Sequence, residues 1–192
     1  MNMEEANNFL IKGLFASYCI RDLQTSGVLR TPIYNDQEKK DHDLFVSASE
    51  TIRQGSLSMQ RYYRMLYVFE NLVREFIMNT FVDVDGEHWF EKRATKSMND
   101  KYQKRKASEA KNQWHTGRNE HPIFYLDFGD LGNLIVNHWD VFGDFFPDQA
   151  WVASRVSDCE RTRNVIAHTN ELPAEEGARL QMHLQDWIRQ IG

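Results

Sequence analysis

Only two of the 192 residues are cysteine, only four are proline, and glycine numbers ten. Cys19 and Cys159 stand in no C-x-x-C or finger-like spacing, which excludes a disulfide framework and leaves both as reduced core thiols. So little Pro and Gly excludes collagen-like and low-complexity chains. No apolar run approaches the roughly 18 residues that cross a bilayer, and mean hydropathy is -0.63. No stretch alternates polar and apolar residues between hairpin turns, so a sheet is not expected. Gly129 and Gly132 sit in GDLG without a following Lys-Ser/Thr, so no phosphate-cradling loop of the ATPase kind is present. His115, His121 and His138 accompany no H-E-x-x-H and no carboxylate-rich ligand set, so neither a metal nor another cofactor is expected. The opening MNMEEANNFL carries two Glu and no basic segment, which points away from a secretory signal and toward the cytoplasm.

What the chain does have is 41% hydrophobic and 12% aromatic residues, enough for a real core. The apolar spacing is helical almost throughout, so the fold class is all-α. A first helix is expected over residues 4 to 23, then a loop broken by Gly27 and Pro32, then a short helix near 41 to 54 that stops at Gly55. The strongest helix runs from about Ser56 to Phe81, where Tyr62, Leu66, Phe69, Val73 and Phe76 recur on one face. A turn at DVDGEH leads to a basic helix over roughly 89 to 112. Short helices follow in the aromatic block after His121, with Asp127 as an N-cap. The next helix starts near Asp148 and reaches about Ala167, and Pro173 fits the first position of a last helix with the stripe Leu180, Leu184, Trp187 and Ile191. The expected organisation is an N-terminal helical extension, 1 to 55, and a helical bundle, 56 to 192.

The formal net charge of -5 conceals an uneven distribution. Residues 92 to 111 carry 8 Lys and Arg against 2 Asp and Glu, whereas 112 to 192 carry 6 against 12. An acidic protein repels polyanions on average, but a strip such as Lys101, Lys104, Arg105, Lys106 and Lys111 can track a phosphate backbone at short range. The same run also reads as a solvated helix face. Trp114 closes this segment and is a base-stacking candidate, while the other four tryptophans fit core spacing. Glu70, Arg74 and Glu75 read as i, i+4 surface pairs, with Arg74 able to enter a cleft instead.

The chemical centre is CERTRNVIAHTNELP, which joins two arginines, an asparagine and a histidine within eight residues, 161 to 168. On a wheel of about 100° per residue with Cys159 at zero, Val152 and Ile166 fall within about 20° and Arg163 at about 40°. A guanidinium inside an apolar stripe must pair, open into a cleft or face another chain. His168 diverges from Arg163 by about 140° on a regular helix. The two converge only if the helix ends before His168 or a second copy faces the first across a twofold axis. Either arrangement gives a cationic pocket with a titratable imidazole, which suits a phosphodiester.

RNVIAH at residues 163 to 168 resembles the Arg-x(4 to 6)-His motif of the HEPN superfamily, in which a polar residue often follows the Arg. His168 is preceded at the right distance by Arg163, with four intervening residues, and by Arg161, with six; Asn164 favours Arg163. YYRMLYVFENLVREFI is similar to the family's opening helix, and FGDLGNLIVNHW resembles the branch that accompanies some transcript-processing endoribonucleases. The resemblance covers about residues 56 to 192. It implies an all-helical bundle that dimerises and brings two motifs into one cleft. It further implies metal-independent cleavage of RNA, with His168 transferring a proton, Arg163 stabilising the transition state, Asn164 orienting the phosphate and a cyclic phosphate as product. Toxin-antitoxin, phage-defence or transcript-processing roles, with an antitoxin or regulatory protein as partner, follow from how such domains are used. The alternative the family offers is a non-catalytic module that dimerises and binds a partner protein or nucleotide.

Overall fold

The computed structural model describes residues 44 to 112 and 114 to 192, together with Lys12, Cys19, Ile20 and Leu23. The chain divides into two compact units, Met1–Ser49 and Glu50–Gly192. In the first unit the four isolated residues are helical, as are Leu44 and Phe45, and a turn follows. The rest of the helix expected over 4 to 23, and the loop after it, lie outside the described residues.

The second unit is all helical, with no strand among its described residues. Its elements are α1 (Glu50–Asp85), α2 (Trp89–Arg93), α3 (Lys96–Ala110), a 3-10 turn (Pro122–Tyr125), α4 (Phe128–Asn137), α5 (Trp139–Phe142), a second 3-10 turn (Gly143–Phe145), α6 (Gln149–Ala167) and α7 (Ala174–Ile191). No helix among the described residues is long and apolar enough to cross a membrane.

Two expected boundaries are corrected. Helix α1 runs straight through Gly55, joining what the sequence divides into a short helix and a long one. A single helical Gly costs about 1 kcal/mol relative to Ala, too little to end a helix whose later turns are anchored in the core. The basic helix, in contrast, is two: Ala94 is extended, and the Thr95 side chain accepts from the Met98 N–H to start α3 afresh. The remaining boundaries agree closely. Asp127 caps α4, with its own N–H donating to Asp130 Oδ2 at 3.0 Å, and the Asp148 carboxylate accepts from Trp151 N at 2.7 Å to start α6. Pro173 stands one position earlier than expected, at the N-cap of α7.

The core lies between α1, α4, α6 and α7. Leu66, Phe69, Val73, Ile77 and Phe81 of α1 are buried against Leu131, Leu134 and Ile135 of α4, Val152, Val156 and Cys159 of α6, and Leu180 and Trp187 of α7. Each such side chain contributes about 1.5 to 3 kcal/mol when fully buried. Burial pushes the Cys159 thiol up to about 12, so it is an inert core group. Two glycines set how closely helices approach. A Cβ on Gly132 would lie 2.7 Å from Val156 Cγ1, so α4 packs directly on α6, and one on Gly177 would overlap the Tyr62 ring, so α7 lies tight on α1.

Candidate functional site

Helix α6 carries the motif, and the surrounding elements fix its position firmly. From α7, Asp186 Oδ2 receives Arg155 at 2.8 Å, and the Arg155 guanidinium lies 3.8 Å above the Trp151 ring. His183 is buried one turn away, with Nε2 3.4 Å from Asp158 Oδ2. Burial pushes the His183 imidazole below its ordinary range against the opposing pull of Asp158. On the other side, the Glu160 carboxylate lies where a Cβ on Gly129 would stand, 2.9 Å away, so this turn of α6 crosses the start of α4.

Beyond Glu160 the motif side chains emerge. Arg163 is half-buried, while Asn164 and His168 are exposed. Arg74, Arg93, Arg105 and Arg155, each largely withdrawn from solvent, are paired with Glu70, Asp85, Asp127 and Asp186. Among the described residues Arg163 differs: no hydrogen bond or ion pair reaches its guanidinium, nor the side chains of Asn164 and His168.

The helix ends at the motif's histidine. His168 is the C-cap, at φ -92° and ψ 15°, and Thr169 turns left-handed at φ 57°. Thr169 N donates to Ile166 O at 3.0 Å and Asn170 N to Val165 O at 3.1 Å, which together make a Schellman termination. Thr169 Oγ1, at 2.7 Å, and Asn170 Nδ2, at 3.2 Å, both donate to the His168 carbonyl. A left-handed β-branched residue is an uncommon choice at a position that usually takes Gly. His168 N still donates to Asn164 O at 3.1 Å, so the chain keeps its helical bond up to the histidine and leaves the helix just after it.

The basic strip behaves differently from its sequence pattern. Lys101 Nζ lies 2.8 and 2.7 Å from the two Asp130 oxygens and 3.2 Å from Asp127 Oδ2. Arg105 holds Asp127 at 2.8 Å and donates to the Tyr125 carbonyl. Burial alone pushes the Lys101 ammonium down, but Asp130 and Asp127 more than reverse it; burial likewise pushes the Asp127 carboxyl up, and Arg105 and Lys101 bring it below the usual carboxylate range. These two cations pin α3 to the start of α4. Lys106 donates to Tyr102 OH at 2.7 Å and remains exposed, and Lys104 and Lys111 are exposed as well. Trp114 is 83% exposed, beside His115.

Arg74 and Glu70 do pair at i, i+4, but as a buried couple rather than a surface one. The Arg74 guanidinium lies 5.6 Å from the Phe124 ring and 3.5 Å from the Leu126 carbonyl, next to the start of α4. That helix start thus gathers α1, α3 and α6 at one end of the bundle. Periodicity missed Tyr63 and Tyr67, which stand off the core stripe of α1, each 60% exposed and with ring centroids 6.4 Å apart. Their i, i+4 spacing outside that stripe was the available signal.

A family model described as Swt1-like HEPN matches residues 64–192. No curated protein and no solved structure matches the chain.

Proposed function

Because the chain belongs to the Swt1-like HEPN family, we propose that it is a metal-independent endoribonuclease whose working site is completed by a second copy. The observation that carries this reading is Arg163, a half-buried guanidinium with no partner among the described residues, one turn from an exposed histidine at a helix end. Such an arginine lacks the anion that would make it structural, and a phosphate supplies one.

In the proposed reaction the RNA 2'-oxygen attacks the adjacent phosphorus as its proton passes to a neutral His168 imidazole. The bond from phosphorus to the 5'-oxygen breaks, and that oxygen takes a proton from an imidazolium. The products are a 2',3'-cyclic phosphate and a 5'-hydroxyl end. One histidine is a base and another an acid, so a twofold pair supplies both roles. Arg163 stabilises the charge that grows on the non-bridging oxygens, and the Asn164 amide orients the same phosphate. Lys104, Lys106 and Lys111 remain for the flanking backbone.

One observation favours the second reading, a non-catalytic module that dimerises and holds a protein or nucleotide: Lys101 and Arg105 are already committed to Asp127 and Asp130. Labelled RNA incubated in excess EDTA with wild-type and His168→Ala protein separates the two. The nuclease reading expects cleavage by the wild type alone, with a cyclic phosphate end. His168 is exposed, so the variant should melt like the wild type. Cleavage that survives the substitution reassigns the base, and no cleavage of any RNA transfers the function to the binding module.

A further inference from the structure

Two anchors locate the face of α1 that runs beside the motif. At one end, the segment after His168 returns onto α1, where Leu172 N donates to Met59 Sδ at 3.2 Å and the Glu171 carboxylate lies against Gly55. At the other end, Arg74 meets Leu126, and the start of α4 just beyond it meets Glu160 of α6. The stretch from Glu160 to His168 lies between these anchors, and α6 packs on α1. With Tyr63 at zero on the α1 wheel, Met59 falls at about -40°, Tyr67 at about 40°, Glu70 at about -20° and Arg74 at about 20°. Tyr63 and Tyr67 therefore occupy the stripe between the two anchors, alongside the turns that present Arg163 and His168.

The pair has the marks of a surface built to be covered. Each tyrosine is 60% exposed, and the two rings are tilted by 36° to one another. Among the described residues neither phenol makes a hydrogen bond to protein. Nearby charge is mixed but carries exposed cations: Arg64 is exposed between them in sequence and Glu70 on the same stripe is neutralised by Arg74, while the Glu171 and Glu160 carboxylates stand at the two ends. Aromatic rings beside a phosphate site suit unpaired bases, because every base has a π face and a duplex hides it.

We infer that Tyr63 and Tyr67 form a stacking platform for the unpaired bases flanking a phosphate held at Arg163 and His168. This inference rests on the endoribonuclease reading of that site, and it is tested by binding, apart from turnover. The full chain carrying His168→Ala is titrated into a single-stranded RNA decamer labelled with 2-aminopurine. The expected result is quenched 2-aminopurine fluorescence on binding. Adding Tyr63→Ala and Tyr67→Ala should remove the quench and weaken binding about tenfold for each base released. Tyr63→Phe with Tyr67→Phe, which keeps the rings, should restore both, and binding to the corresponding duplex should be indifferent to either pair of changes. Unchanged quenching and affinity in the alanine variant overturn the platform. So does loss of the dimer mass by light scattering in that variant, which assigns the rings to a subunit contact. The two readings fail separately. Stacking with no cleavage by the chain that retains His168 removes the nuclease and leaves the platform, whereas undiminished cleavage by the Tyr63→Ala, Tyr67→Ala chain does the reverse.

Discussion

At the residue scale, Thr169 is the position where local preference and structure disagree. Its φ of 57° places a β-branched side chain in the left-handed region, which costs roughly 1 to 2 kcal/mol. Bonds from Thr169 and Asn170 to the His168 carbonyl, with the two Schellman bonds, hold it there. Gly takes this conformation freely but loses more entropy on folding, so part of the relief is cancelled. Thr169→Gly is expected to stabilise the unit by about 0.5 to 1 kcal/mol net, read as a higher urea midpoint at unchanged slope. A lower midpoint would mean that the hydroxyl bond outweighs the strain. The sequence places His168 near a helix end, since Pro173 forbids much further helix, but the Thr-Asn termination carries none of the Gly that normally signals one.

At the element scale, the tie between α3 and α4 is electrostatic and so depends on pH. The Asp127 carboxyl titrates below its ordinary value in the folded chain. The stability it carries is therefore present above the ordinary carboxylate pKa and is lost as pH falls through the depressed folded value. Asp127→Asn should cost about 1 kcal/mol at pH 7, a figure held low because the pair is about one-third exposed. Urea melts at pH 7 and pH 3 check this: the deficit should shrink at the lower pH, and a constant deficit would locate the effect in the cap geometry alone. This tie also shows where sequence reading stopped. The long helices α1, α6 and α7 show in the sequence as apolar periods, and the start of α4 as the capping residue Asp127, because those signals are local. That Lys101 and Arg105 would turn toward Asp127 and Asp130 does not show there, because the partners are 22 to 29 residues away and only the packing of α3 beside α4 brings them together. The same holds for Gly55, where a local breaker is overruled by burial farther along α1.

At the scale of the whole molecule, the proposed composite site would make assembly a condition of chemistry. One chain offers one Arg163 and one His168, and an acid and a base are both required. Light scattering at micromolar concentration should therefore give twice the 22.7 kDa chain mass. A strict monomer would remove the composite cleft and leave a single histidine to serve both steps. With a formal charge of -5, the RNA proposed as substrate would approach against the mean field and be held by local cations, so its affinity should fall steeply as salt rises.

The absence of any partner for Arg163, Asn164 and His168 among the described residues has a consequence for the history of such a chain. Residues tied into a core are preserved because their loss unfolds the protein, and drift there is punished whatever the protein does. These three side chains owe nothing to the fold and the fold owes little to them. On the proposed reading, selection would see them only through the phosphate they meet, so a lineage released from cleaving RNA would be free to replace them while inheriting the bundle intact.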